Sequence, residues 1–171
     1  MTSTPTLTRE RADLIETLDQ HRGFLRFTVR DLTDEQATRR TTASELTLAG
    51  IVKHVANTET TWTDFIEKGS AAFGGENWSP EAWAAQWRLA PGETLQSVLA
   101  HYDQVARRTD QLVATLPDLD ADHALPPAPW FQPGARWSAR RAIAHILAET
   151  AQHAGHADIL RESLDGQKTM G

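Results

Sequence analysis

The stretch from Ala139 to Leu164 constrains this chain more than any other. It has no proline and a single glycine, and it is rich in Ala, Leu, Ile, Glu and Arg. Those residues lose little on entering a helix, so the stretch predicts one long helix. Ser138 stands where an N-cap belongs, and Gly166 marks the stop. Within it His145, Glu149, His153 and His156 recur at spacings of four, four and three. At about 100° per residue the four fall inside an arc of roughly 80°. Ile143, Ile146, Leu147 and Ile159 flank that arc. A polar stripe bordered by apolar side chains is costly to bury unless something pairs with it, and a divalent cation is the simplest partner. Taken alone, the stripe reads more readily as a solvated helix pair worth a few tenths of a kcal/mol, or as satisfied core, than as a metal site. A third donor from another element decides the matter.

Three more helices are legible. From Arg9 to about Val29, Leu14, Leu18, Leu25 and Val29 keep helical spacing, with Ile15 and Phe24 widening the stripe. Thr33 to Gln36 has a capping-box pattern and predicts a short helical turn. Thr47 caps a helix over Leu48 to Lys68, whose apolar side carries Ile51, Val52, Val55, Trp62, Phe65 and Ile66. Thr94 opens a helix over Leu95 to Leu116, and Pro117 ends it. Between these last two, residues 69–77 read as a flexible link. Ser79-Pro80-Glu81 then starts a short helix that carries Trp83 and Trp87 and ends near Pro91-Gly92. We read that segment as a candidate lid. Residues 118–137 read as an irregular crossing rich in proline, containing Trp130, Phe131 and Trp137. Residues 1–8 read as a loose leader, and residues 166–171 as a frayed tail.

Four long amphipathic helices, no strand-period run and two long connections predict an all-α four-helix bundle with a short extra helix between its second and third long helices. The length fits a single domain over residues 1–171. A net charge of −6 with no basic block argues against nucleic acid. The first ten residues hold no apolar run, so no signal peptide is expected, and no segment has membrane-spanning length. The expected compartment is the cytoplasm. The chain has no cysteine, so it offers no thiol nucleophile of its own.

His54 lies on the second long helix, among Thr58, Thr61 and Phe65. Glu59 sits about 140° away from it on the wheel and faces elsewhere. If the second and last long helices meet across the core, His54, Glu149 and His153 supply three donors at one level. Three protein ligands leave a position for water or substrate. The donor set suits zinc first, with nickel or iron as alternatives.

Two segments carry a resemblance. Leu-Ala-Gly-Ile-Val-Lys-His-Val-Ala-Asn-Thr-Glu (48–59) and Glu-Thr-Ala-Gln-His-Ala-Gly-His-Ala-Asp-Ile-Leu-Arg-Glu (149–162) resemble the two signature helices of the DinB superfamily, in its actinobacterial, mycothiol-dependent branch. The resemblance implies an up-down-down-up bundle whose divalent metal is held by three side chains. On it, His54 matches the ligand of the second helix. His153 matches the ligand that opens a His-Arg-Gly-Gln motif, and Glu149 stands one turn earlier, where many members have histidine. His156 replaces the motif's last glutamine, as an orienting neighbour, a proton carrier or an alternative ligand. His145 has no counterpart; it either orients Glu149 or belongs to the core, and the core is the preferred reading. His21, His101 and His123 are expected at the surface or at helix ends.

The resemblance further implies mycothiol as a cosubstrate and a transfer or isomerisation on a small electrophile. His156 is then the expected proton acceptor, with Trp62, Trp83, Trp87 and Trp130 as pocket walls. Members often pair as dimers. A metal-dependent hydrolase, an iron- and oxygen-dependent enzyme and a non-catalytic metal-binding stress-response module are the alternative readings.

Overall fold

The computed structural model describes residues 7–73 and 79–169. The leader residues 1–6, link residues 74–77 and tail residues 170–171 lie outside the described residues. Four long helices form the body: α1 (Arg9–Thr28), α3 (Leu48–Lys68), α5 (Leu95–Thr115) and α6 (Ala139–Asp165). Two short ones, α2 (Asp34–Ala37) and α4 (Pro80–Ala85), sit in the connections. The N-caps act where the hydroxyl residues predict them. Thr47 accepts from the Gly50 N–H and Ser138 from the Arg141 N–H, while Thr33 and Thr94 close capping boxes with Gln36 and Ser97. Gly166, at φ 79°, ends α6 in the left-handed conformation that glycine adopts without strain.

Side-chain contacts give the helix directions. Thr28 and Glu10 of α1 meet Arg161 and Arg140 of α6, so these two run parallel. His54 and Trp62 of α3 meet His153 and His145, so α3 runs against α6. Arg22 and Arg26 of α1 meet Asp110 and Asp103 of α5, which also runs downward. The result is the expected up-down-down-up bundle.

The core has two apolar halves. Leu25, Ile51, Val55, Val98 and Leu160 belong to one, and Leu18, Phe65, Val113, Ile143 and Ile146 to the other. Between them each long helix contributes a buried polar side chain: Arg22, Glu59, Thr109 and Thr150. The Arg22 guanidinium bonds Glu59 through Nε at 3.3 Å and Asp110 through Nη1 at 2.8 Å. Thr63 and Thr109 share a hydrogen bond of 3.1 Å. A polar belt thus crosses the bundle at mid-height.

Three connections differ from their expected form. Residues Gly69–Phe73, expected to be a flexible link, form a 3₁₀ helix. Gly69 turns the chain at φ 66°, and His123 Nε2 lies 3.2 Å from the Ile66 carbonyl, holding that helix end. The short helix α4 stops at Ala85 rather than near Pro91. The crossing over residues 118–137 contains an antiparallel pair, β1 (Asp122–Ala124) with β2 (Arg136–Ser138), in which His123 faces Trp137. Among the described residues no helix is long and apolar enough to cross a membrane.

Candidate metal centre

The antiparallel seam of α3 and α6 brings His54, Glu149 and His153 together, with one ligand atom from each within 4.8 Å of the others. Both histidines are buried and the carboxylate is half-buried. His153 Nε2 stands 3.5 Å from Glu149 Oε2, and His54 Nε2 stands 3.8 Å from the same oxygen. These are poor hydrogen-bond lengths. They are close to the roughly 3.4 Å that separates donors around one tetrahedral cation with arms of about 2.1 Å. The other ring nitrogen of His54, Nδ1, is buried with no hydrogen-bond partner among the described residues. The residues present therefore fit a divalent ion, by donor chemistry and by spacing.

The local field is set for it too. His153 first and His54 second hold the Glu149 carboxyl well below the usual carboxylate range, against the opposing effect of burial. The carboxylate thus stays ionised while partly withdrawn from water. Its other oxygen, Oε1, faces His145 Nε2 at 3.8 Å. Burial lowers the pKa of His145, which keeps it neutral at pH 7. His145 was expected in the core. It stands instead half-buried beside the cluster, edge-on to the stacked rings of Trp62 and Trp137.

His156 lies on the other side. Its Nδ1 is 3.4 Å from His153 Nδ1, so it touches the ring nitrogen that points away from Glu149. Thr58 Oγ1 lies 3.4 Å from His54 Nε2. Of the remaining histidines, His123 acts at the end of α3, as already described. His21 packs edge-on against Phe24.

The tryptophans divide. Trp87 stacks on His54, with ring centroids 3.6 Å apart, and lies 5.5 Å from the His153 ring. Trp83 meets His54 edge-on at 5.9 Å. Trp62 is only 5% exposed and stacks on Trp137. Trp130 is 70% exposed, and its aromatic neighbour is Phe131. Trp137, which sequence reasoning did not place at the site, packs on His145 instead. A signal for it exists: it precedes the N-cap of α6, the position from which an apolar side chain folds back onto the first turn.

A second feature the sequence reading missed is the seat of α4. A Cβ on Gly50 would fall 2.1 Å from the Trp87 carbonyl oxygen, so glycine lets that backbone lie against α3. Lys53 then fastens the segment, donating to the Arg88 carbonyl at 3.0 Å and to Glu93 at 2.6 Å. Lys53 and the Ala90 N–H hold the Glu93 carboxyl below its usual value. This seat yields a prediction. Gly50→Ala gains about 1 kcal/mol in helix propensity and meets an overpacking cost of about 1–3 kcal/mol. The obstructing atom belongs to backbone, so the segment must shift. We expect Trp87 to lift from His54, with a red-shifted tryptophan emission and a melting temperature within a few degrees of wild type. An unchanged emission spectrum would show that the seat tolerates the methyl group.

Fold and cluster together define a four-helix bundle of the DinB type with a two-histidine, one-carboxylate group in the seam between α3 and α6. Within that class the chain belongs to the mycothiol-S-transferase family, which matches residues 13–166. A solved structure of a conserved protein from Enterococcus faecalis is 13% identical and covers 91% of this chain and 97% of its own, with a TM-score of 0.70. At that identity the likeness is one of fold. Among curated proteins none matches the chain.

Proposed function

We propose that this protein joins the thiol of mycothiol to a small electrophile, a carbon–sulfur bond forming as the thiol proton and the electrophile's leaving group depart, and that a divalent cation, zinc in our reading, would be held by His54, Glu149 and His153. The observation that supports this most is the convergence of three donors in a mycothiol-S-transferase family chain that has no cysteine. A free thiol of pKa about 8.5 is only a few per cent ionised at neutral pH, and a cation in this position would supply the thiolate form.

The chain's own residues do the rest. The rings of His54 and His153 offer nitrogen donors, and Glu149 Oε2 adds one negative charge. Trp87 covers His54 and keeps water from that side. The side bearing Glu149 Oε1 and His145 Nε2 is where the thiol arrives and where its proton leaves. His156 reaches the cluster only through His153, so we assign it the task of orienting that ring. We place the reaction in the cytoplasm, with the thiol and the electrophile as partners and no part for nucleic acid.

The test is direct. Protein dialysed against a chelator is expected to lose transfer of mycothiol to 1-chloro-2,4-dinitrobenzene, and zinc is expected to restore it. Unchanged turnover in the metal-free protein would refute the proposal. Cleavage of a simple ester without thiol would replace it with a hydrolase.

A further inference from the structure

At the start of α6 stand Arg140 and Arg141, with Arg136 just before them in β2. Arg136 is paired with Asp122, and Arg140 with Glu10 and Asp120. Arg141 makes no ion pair among the described residues, and its guanidinium carbon lies 4.4 Å from the centroid of the Trp137 ring. Trp137 in turn packs on His145 at 5.2 Å. Arg141, His145, Glu149 and His153 are successive four-residue steps along one helix, so they form one stripe. At 1.5 Å per residue the α-carbons of Arg141 and Glu149 are about 12 Å apart. A stacked, always-charged, unpaired guanidinium therefore stands two turns from the metal cluster, on the side that Trp87 does not cover.

We propose that Arg141 is an anion subsite, and that the electrophile taken by this site carries a carboxylate on a flat apolar body. This rests on the transfer reaction proposed above. An exposed arginine is ordinarily a solvated one. Here the guanidinium rests on an indole, which restricts it and leaves its planar fork of donors to meet a carboxylate. The first N–H groups of α6 cannot do this work. They are bonded to the Ala121 carbonyl at 2.9 Å, the Leu119 carbonyl at 2.9 Å and Ser138 Oγ at 3.2 Å. The helix still contributes its positive end, which favours an anion. Trp137 and Phe131, 5.8 Å apart, form the apolar wall beside it.

The experiment reads binding and turnover separately. Metal-free wild-type protein is titrated with benzoate and with benzamide, following tryptophan emission. Benzoate is expected to bind at least about tenfold more tightly. In Arg141→Gln that preference is expected to vanish, and in Arg141→Lys to survive in part, with melting temperatures unchanged. Equal binding of the two probes to wild type, or a preference that persists in Arg141→Gln, would overturn the proposal.

Turnover of 4-chloro-3,5-dinitrobenzoate and its methyl ester with mycothiol and zinc is the second arm. Arg141→Gln should lower kcat/KM for the acid by about 10–100-fold and leave the ester within a few fold. An equal loss on both would place the anionic group on the thiol and refute the assignment. Absence of turnover of either compound by wild type counts against the transfer reaction, while the benzoate titration still decides the role of Arg141.

Discussion

Glu59→Ala is expected to cost about 3–5 kcal/mol of stability. Arg22 and Glu59 are both 0% exposed. Burial disfavours the guanidinium charge, yet Glu59 and Asp110 raise the Arg22 pKa further, so the arginine cannot escape by losing its proton. Without Glu59 a buried cation keeps only Asp110, which is itself partly in water. A domain of this kind has about 5–15 kcal/mol in total. For a chain of this size the loss corresponds to a melting temperature lower by roughly 6–20 °C. The double change Arg22→Met with Glu59→Leu removes both charges, and it should recover most of the loss or exceed wild type. Thermal and urea unfolding of the two variants beside wild type check this. A Glu59→Ala protein within 1 kcal/mol of wild type would mean that water reaches the belt and the charges are not truly desolvated.

That ion pair shows where sequence reading stops. The wheel placed Glu59 away from His54, correctly, but gave it no partner. The first helix was read by its apolar positions, and a buried arginine among them has no periodic signature. The long helices were legible because their caps are hydroxyl residues at the right offsets and their apolar stripes are continuous. The pairing of Glu149 with His153 was legible because four-residue spacing fixes it within one helix. Bringing His54 to them requires two helices to meet, and the family resemblance supplied that step.

The rest depends on three-dimensional detail. The wheel puts His145 and His156 in the same arc as Glu149, yet rise along the axis separates them: His145 faces Oε1 of Glu149, and His156 faces the far side of His153. Trp87 reaches His54 because two backbones touch at Gly50, and an interior glycine in a helix does not announce that contact. Trp137 arrives through strands of three residues each, too short for alternation to be seen.

Removing any one of His54, Glu149 and His153 is expected to weaken zinc binding by more than about 100-fold, the upper end of what loss of an orienting neighbour costs. His156→Gln is such a neighbour's loss and should cost about 10–100-fold. The glutamine can still hydrogen-bond the far nitrogen of His153, so the lower end is expected. Competition with a chelating dye measures all four variants without reference to turnover. Glu149 needs no proton removed to bind, since His153 and His54 already hold it ionised; its contribution should be constant with pH above about 4.3 and be lost as pH falls through its lowered value. Glu149→Gln separates charge from shape: the amide oxygen remains, the negative charge goes, and the affinity should fall nearly as far as in Glu149→Ala. If zinc stays bound in Glu149→Ala within tenfold of wild type, the third donor is His145 or His156, and the double variants Glu149→Ala with His145→Ala and with His156→Ala decide between them. The His145 result then carries most weight. His145 shares the open side with Glu149, and a cation held there by two imidazoles from α6 would have to leave His54.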